Sequence, residues 1–536
     1  MFIKEIRWYN RLFSKFKRKQ VRKRSNKNFT DDPQNNNKVG IVLPVYNQER
    51  NYILECLQSI ENQTYRNFKL VIVIVGANEE TVNAVYEFSN ILTCSFTIIH
   101  RKKNKGIAYS LNEGFEHLLD CPYLTWVSSD NRQKPHFLKK LVEAMTTAPS
   151  STVLVYSMYQ LIDENGKTNA FGQEWYTAMF NMMKRPKEDI MLLNFIGASF
   201  LFKRDAYEKA DGYDPTYPLV HDYEFWIKLR QLGEFKFIPN ILVEYRLNGK
   251  YSLITITPTE ELYIESMTAS VDHRRKNLDI PKVTVIITTH NHENYIRHCI
   301  ESVLHQNYSN FHIVVLDIGS TDSTLEKIYS VNDARLIPVH LKQRHKAEAL
   351  NIGLKYVLGD YVLELDGKDW IEPNTLQIFV NAMDNLPSNV GMIFANRQLW
   401  FERDGQLIEG PVLPGILTSN KYEVLENFQT YAPRMYRVST LKKLKGWVSS
   451  LNEEPLLIDD YMMFLRIVEK FEIFWVNKTL YHQRRANNYL PIYVKETLNR
   501  QFHMVVNDTL QRWGNKFEAQ YEETDGYITK ITLKPR

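Results

Sequence analysis

The chain has 536 residues, of which 44% are hydrophobic and 24% charged; this is enough apolar material for two cores and excludes a disordered polymer or one minimal domain. The formal net charge of +5 is unevenly placed, with Lys4, Arg7, Arg11 and eight further cations in residues 1–28 against the single acid Glu5. The remaining body is slightly acidic, which excludes a general nucleic-acid surface and leaves no nucleic acid among the expected partners.

In the tail, Phe2, Ile6, Tyr9, Phe13 and Phe16 recur at steps of four and three between basic residues, which predicts a basic amphipathic helix. Such a helix can lie on an anionic membrane surface through residues 1–28, or pack on a domain. Residues 30–38, rich in Asp, Asn and Pro, read as a linker, so the tail and linker span 1–37. No apolar run reaches the roughly 20 residues that cross a bilayer, and no secretory signal is visible. Cys56, Cys94, Cys121 and Cys299 lack metal-ligand spacing and read as small apolar residues in a reducing compartment. The expected location is therefore cytoplasmic, with peripheral contact on the inner face of the membrane as an option.

The body says the same thing twice. Val39-Gly-Ile-Val-Leu-Pro-Val-Tyr-Asn47 returns as Val283-Thr-Val-Ile-Ile-Thr-Thr-His-Asn291. Glu55-Cys-Leu-Gln-Ser-Ile-Glu-Asn-Gln-Thr-Tyr-Arg-Asn-Phe68 returns as His298-Cys-Ile-Glu-Ser-Val-Leu-His-Gln-Asn-Tyr-Ser-Asn-Phe311. The repeat of roughly 240 residues is domain-sized, so the expected organisation is two tandem domains, 38–275 and 276–490, and an extension, 491–536. In the first copy a strand over 39–43 precedes a helix over 52–63. A strand over 70–75 ends in the turn Gly76-Ala-Asn78, and a helix over 79–89 leads to a strand over 96–100. A helix through Asn112 and Gly114 then gives way to a strand over 123–127 and the polar run Ser128-Ser-Asp-Asn131. Alternating strands and helices predict an α/β fold with a mostly parallel sheet, whose ligands bind past the carboxyl ends of the strands. In the extension, Thr524-Asp-Gly-Tyr527 predicts a hairpin.

At the strand ends the sequence resembles glycosyltransferase family 2. The second copy has Leu316-Asp-Ile-Gly-Ser-Thr-Asp322, similar to the family's Val-Asp-Asp-Gly-Ser-Thr-Asp, and Leu365-Asp-Gly-Lys-Asp-Trp-Ile-Glu-Pro373, where the family has Asp-x-Asp-Asp before the proline. The first copy has Val127-Ser-Ser-Asp-Asn-Arg-Gln-Lys-Pro135 at that place. Gly212-Tyr-Asp, His221-Asp-Tyr-Glu-Phe-Trp and Glu244-Tyr-Arg246 in the first copy match Gly446-Trp447, Asp459-Asp-Tyr461 and Arg484-Arg485 in the second. The resemblance covers about residues 38–255 and 281–487. It implies two tandem Rossmann-like GT-A domains. The implied activity is inverting transfer of a sugar from a nucleoside diphosphate donor, expected to be UDP-linked, to a glycan or glycoconjugate acceptor in surface polysaccharide synthesis.

The resemblance also assigns roles. A divalent metal, Mn²⁺ or Mg²⁺, would neutralise the departing diphosphate. Its ligand would be Asp130 in the first copy, where the second has Lys368. Asp222 and Asp460 are the candidate catalytic bases. Pro44, Tyr46, Asn47 and Arg246 in the first copy, and His290, Asn291, Asp317, Asp366, Lys368 and Asp369 in the second, are the candidate nucleotide-sugar contacts. Asp317 would meet the nucleobase; the first copy has Ile74 there. Asp322 and Asp369 have an alternative reading as helix caps or turn formers. Lys368 reads either as decay of the site or as a cation replacing the metal. Because losing a metal costs more than losing a base contact, the first copy is expected to carry the chemistry. A two-site polymerase and a non-catalytic binding scaffold of decayed domains are the alternatives.

Overall fold

In the computed structural model the described residues are 18–23, 37–168, 173–191, 193–247, 257, 259–277, 280–331, 333, 335–403, 406–416, 418, 420–427, 431–486 and 492–536. The chain divides between His273 and Arg274 into two compact units. The strands of the first are β1 (Arg18–Lys23), β2 (Val39–Val45), β3 (Phe68–Val75), β4 (Ser95–Lys103), β5 (Tyr123–Trp126), β6 (Arg132–Gln133), β7 (Thr152–Ile162), β8 (Phe200–Lys203) and β9 (Glu234–Arg246). They form one sheet in the order β1-β4-β3-β2-β5-β8-β7-β9-β6.

The second unit has β10 (Val283–Thr289), β11 (Phe311–Ile318), β12 (Leu336–Leu341), β13 (Tyr361–Asp366), β14 (Trp370–Ile371), β15 (Val390–Arg403), β16 (Gln406–Leu413), β17 (Arg434–Arg437), the short pair β18 (Ser450–Leu451) and β19 (Glu454–Pro455), and β20 (Glu472–Ala486). Its main sheet runs β12-β11-β10-β13-β17-β15-β20-β14, with β16 on β15. Strand for strand this repeats the order of the first sheet from β4 to β6. In each, four parallel strands carry the sequence repeat. One antiparallel strand, β8 or β17, joins them to a long parallel pair.

The strands are apolar because both faces are covered. Every residue of β2, β10 and β11 is buried. The helices Arg50–Glu61 and Ile296–Leu304 bury Cys56 and Cys299 at matched places, as their spacing implied. Register fixes the correspondence between units. Val45 pairs with Ile74, and Thr289 with Asp317, so Ile74 and Asp317 are equivalent.

Two glycines mark where each unit draws a helix to a loop. Gly212 and Gly446 have φ of +62° and +75°. Each lies against an asparagine, and a Cβ on Gly212 would come within 2.8 Å of Asn112 Oδ1. Asn112 accepts from Tyr213 N at 2.9 Å and donates to Tyr213 O at 2.8 Å. Asn351 does the same with Trp447, at 2.8 Å both ways.

The tail departs from the helix expectation at Arg18–Lys23, which is a strand antiparallel to the edge strand β4. Phe2 to Phe16 lie outside the described residues. The expected hairpin forms from β21 (Phe517–Thr524) and β22 (Tyr527–Pro535), with positive φ at Asp525 and Gly526 as a type I′ turn requires. It packs with the helix Ile492–Arg512 on the second unit, where Gln501 accepts from Leu457 N at 2.7 Å and Glu426 accepts from Leu533 N at 2.8 Å.

Candidate active site

The strand ends gather most of the expected residues. In both units an asparagine after the first repeat strand hooks the loop after the second. Asn47 Oδ1 accepts from Asn78 N at 2.7 Å, and Asn291 Oδ1 from Thr321 N at 2.8 Å. These oxygens tie the two loops together. Pro44 is buried inside β2, Tyr46 is half-buried beside it, and His290 is exposed, with its Nδ1 2.9 Å from Ile318 O. Asp322 caps its own turn, accepting from Glu293 N at 3.1 Å and Thr324 N at 3.0 Å; burial would raise its carboxyl, but a hydrogen bond from the Thr324 side chain and then these amide bonds hold it below the ordinary value.

The turn after the fourth strand is built alike in both copies. Cys56 Sγ donates to Ser128 O at 3.3 Å, and Cys299 Sγ to Asp366 O at 3.4 Å. Arg246 Nε donates to Asp130 O at 3.0 Å and Arg484 Nε to Lys368 O at 3.2 Å. Their backbone amides donate to Asn131 Oδ1 at 3.0 Å and to Asp369 Oδ1 at 2.8 Å. Each guanidinium lies over a tyrosine ring, Tyr52 at 4.0 Å and Tyr295 at 4.4 Å. The bonds match Asp130 with Lys368, as the distance to the proline implied. Within the Arg484-Arg485 run they single out Arg484 as the partner of Arg246.

Three expected donor contacts face inward. Arg246 is 1% exposed; besides Asp130 O its guanidinium donates to Asp163 O at 3.1 Å, Glu164 O at 3.0 Å and Glu55 Oε2 at 2.5 Å. A buried guanidinium with four of its five N–H groups so occupied ties a loop rather than presenting itself to a phosphate. Asp369 is 2% exposed, with its oxygens taken by Tyr481 Oη at 2.7 Å and Arg484 N; burial, then the Asp366 charge, push its carboxyl up to about 6. Asp317 is fully buried, accepting from Ser320 N at 3.2 Å and meeting His340 Nδ1 at 2.5 Å. It fixes the His340 ring and presents no surface of its own to a nucleobase.

The two candidate bases differ most. Asp222, in the first turn of the helix His221–Leu232, is 1% exposed among aromatic rings. Trp126 lies 6.0 Å from Phe200 and from His221, and Phe200 4.8 Å from Trp226. Burial raises the Asp222 carboxyl well above its ordinary value and lowers His221 to about 3, so His221 is neutral and their 3.5 Å contact is not an ion pair.

Asp460 begins the matched helix, Asp459–Val468, and its side chain is 21% exposed. Oδ2 accepts from Arg434 Nη1 at 3.1 Å and Oδ1 from Tyr461 N at 2.9 Å. Arg434 Nη2 reaches Glu364 Oε1 at 2.8 Å, Lys346 Nζ reaches the same oxygen at 2.6 Å, and Tyr436 Oη donates to Oε2 at 3.1 Å. Burial would raise Glu364, but Arg434 and Lys346 hold it down at about 2. Register places Trp126 and Phe200 of the first unit where Glu364 and Arg434 stand in the second. Where one copy has aromatic packing, the other has a charged network reaching its surface. Sequence reading missed Lys346, Glu364 and Arg434; the available signal was Glu364, a charge inside the apolar strand β13 at the place of Trp126.

Neither unit's donor set suits a metal held by protein alone. Among the described residues no three His, Cys, Asp or Glu side chains gather as a cation site. Asp130 is 9% exposed with Ser128 Oγ donating to it at 2.5 Å, and burial raises its carboxyl. In the second unit the Lys368 ammonium lies 3.1 Å from Asp366 Oδ2.

The profile of Glycosyl transferase family 2 matches residues 40–210 and 284–445, more than half of the chain. The chain belongs to glycosyltransferase family 2. An uncharacterized glycosyltransferase of Rickettsia bellii is 25% identical over 65% of this chain and 55% of its own length. The hyaluronan synthase of Pasteurella multocida is 22% identical over 91% of this chain and 53% of its own. The chain thus spans about half the length of these curated relatives. A mannosyltransferase of Pyrobaculum calidifontis, solved with GDP-Man and Mn²⁺, is 16% identical with a TM-score of 0.35, over 52% of this chain and 70% of that one. In this glycosyltransferase family 2 protein, both units have the repeated α/β sheet that the resemblance implied. No helix among the described residues is long and apolar enough to cross a membrane.

Proposed function

We propose that the protein transfers a sugar from a nucleoside diphosphate donor, UDP-linked by expectation, to a glycan acceptor with inversion, and that the second unit carries the reaction. The observation that supports this is the contrast between the two matched aspartates. A base must touch the hydroxyl whose proton it takes. Asp222 is sealed among rings with its carboxyl raised by burial, whereas Asp460 reaches solvent beside a guanidinium.

The acceptor oxygen attacks the anomeric carbon from the face opposite the diphosphate. The bond from that carbon to the diphosphate oxygen breaks, and its electron pair leaves with the diphosphate. The acceptor proton passes to Asp460. Arg434 and the Tyr461 amide fix the carboxylate, and each oxygen retains a lone pair for the incoming hydroxyl. Asn291 and the Asp317–His340 pair shape the cleft that takes the nucleoside. Release of a nucleoside diphosphate from a panel of nucleotide sugars, with glycan acceptors supplied, is the test. Wild type is expected to turn over at least one donor, and Asp460→Asn to lower that rate by about 10²–10⁴-fold. A rate unchanged in Asp460→Asn would remove the base assignment.

A polymerase with both units active is favoured by the match to the hyaluronan synthase across 91% of this chain. The burial of Asp222 argues against it. Polysaccharide synthesis as the setting, and contact of residues 1–28 with a membrane surface, belong to this proposal too.

A further inference from the structure

The second unit has a lysine where the family resemblance implies a metal-ligating aspartate, and another lysine close by. Lys368 lies in the turn after β13, with Nζ 3.1 Å from Asp366 Oδ2. Lys346 opens the helix Lys346–Gly353, past the carboxyl end of β12, with Nζ 2.6 Å from Glu364 Oε1. Asp366 lies under the influence of both: burial would raise its carboxyl, but Lys368 and then Lys346 bring it below the ordinary value. Glu364 and Asp366 stand two residues apart on β13 and face the same side of the strand, so the two ammonium groups reach that side from two separate elements.

The matched residues of the first unit are Asp130 and Ile107. Asn112 and Asn351 make the same two bonds, and the residues five places before them are Ile107 and Lys346. Between the copies, therefore, a carboxylate and an alkyl group become two ammonium groups. A divalent cation needs carboxylate or other oxygen ligands and is repelled by this pair. An anion is attracted. Both side chains are about a third exposed, at 31% and 35%. Each can leave its present partner without stranding a buried charge. Glu364 keeps Arg434 and the Tyr436 hydroxyl, and Asp366 keeps the Lys368 backbone amide at 3.2 Å.

We propose that the second unit binds the diphosphate of its nucleotide-sugar donor through Lys346 and Lys368, two ammonium groups taking the place of a divalent cation. The proposal rests on the reading that this unit holds the donor. Charge-assisted bonds from two lysines hold the diphosphate and stabilise the charge that builds on it as the sugar departs. Their charge is fixed in the chain, so a chelator leaves it in place.

The test is calorimetric binding of UDP, GDP and dTDP to the full chain in EDTA, repeated with Mn²⁺ or Mg²⁺. At least one nucleotide is expected to bind in EDTA with an affinity that metal changes by less than about threefold. Lys346→Gln and Lys368→Gln should each weaken binding about tenfold or more. Lys368→Arg, which keeps the charge, should restore most of it, separating lost charge from lost fold. Binding that appears only with metal, or that ignores both Gln changes, overturns the lysine pair. If sugar transfer lost in Asp460→Asn persists in wild type alongside such a result, the glycosyltransferase reading stands without it. Absence of binding by every nucleotide, with and without metal, overturns both.

Discussion

Asp222 and Asp460 occupy one position on two matched helices and live in different media. Around Asp222, Trp126, Phe200 and His221 remove water and offer no charge, so burial pushes the carboxyl well above its ordinary value. Around Asp460 the guanidinium of Arg434 holds the carboxylate in a fixed direction. The burial of Asp222 has a consequence for stability. Its folded-state value is raised, so the folded state holds a proton that the unfolded chain gives up above about pH 4. Stability is therefore lost as pH climbs from there toward the raised folded value. Asp222→Asn, neutral in both states, should be more stable than wild type at pH 8, and the difference should shrink toward pH 4. Urea midpoints at the two pH values measure this; a variant less stable at pH 8 than at pH 5, relative to wild type, would contradict it. The match of Asp130 with Lys368 was legible because both stand five residues before a proline in a repeated motif. The inward turn of Arg246, Asp317 and Asp369 was not, because a polar residue at a strand end has the same letters whether it faces ligand or a neighbouring loop.

At the scale of elements, repetition made the parallel strands and their helices readable, since each copy supplied the pattern twice. The network of Lys346, Glu364 and Arg434 was not readable, because it joins a helix start and two strands from segments far apart in sequence. The same holds for the link from each helix to the Gly212 and Gly446 loops. Asn351 is the sole side chain joining its helix to Trp447 by a paired donor and acceptor among the described bonds. Asn351→Ala leaves a backbone amide and carbonyl of Trp447 without those partners. A loss of about 1–3 kcal/mol in urea unfolding is expected; a loss below about 0.5 kcal/mol would mean that water replaces the asparagine readily. In the tail, basic residues at helical spacing did not announce the strand Arg18–Lys23, because an edge strand with charged side chains carries no strong period of its own.

Over the whole molecule, two units with one strand order differ in the side chains at their strand ends. The first has Asp130 in the turn after β5, Asp222 enclosed among aromatic rings, and Ile74 at the end of β3. The second has Asp317 at the matched place, Asp460 partly exposed, and Lys346 and Lys368 where the first has Ile107 and Asp130. The expectation that the first unit is the catalyst came from weighing a lost metal ligand against a lost base contact, with nothing in the sequence to reveal that Asp222 is enclosed. The measurement that bears most directly on this account is the rate of sugar transfer by the full chain in two matched variants, Asp222→Asn and Asp460→Asn, assayed beside wild type on the same donor and acceptor. The account predicts a rate within about threefold of wild type for Asp222→Asn and a fall of about 10²–10⁴-fold for Asp460→Asn. Loss of transfer in Asp222→Asn with Asp460→Asn intact would contradict it and return the chemistry to the first unit; loss in both would make the protein a two-site polymerase.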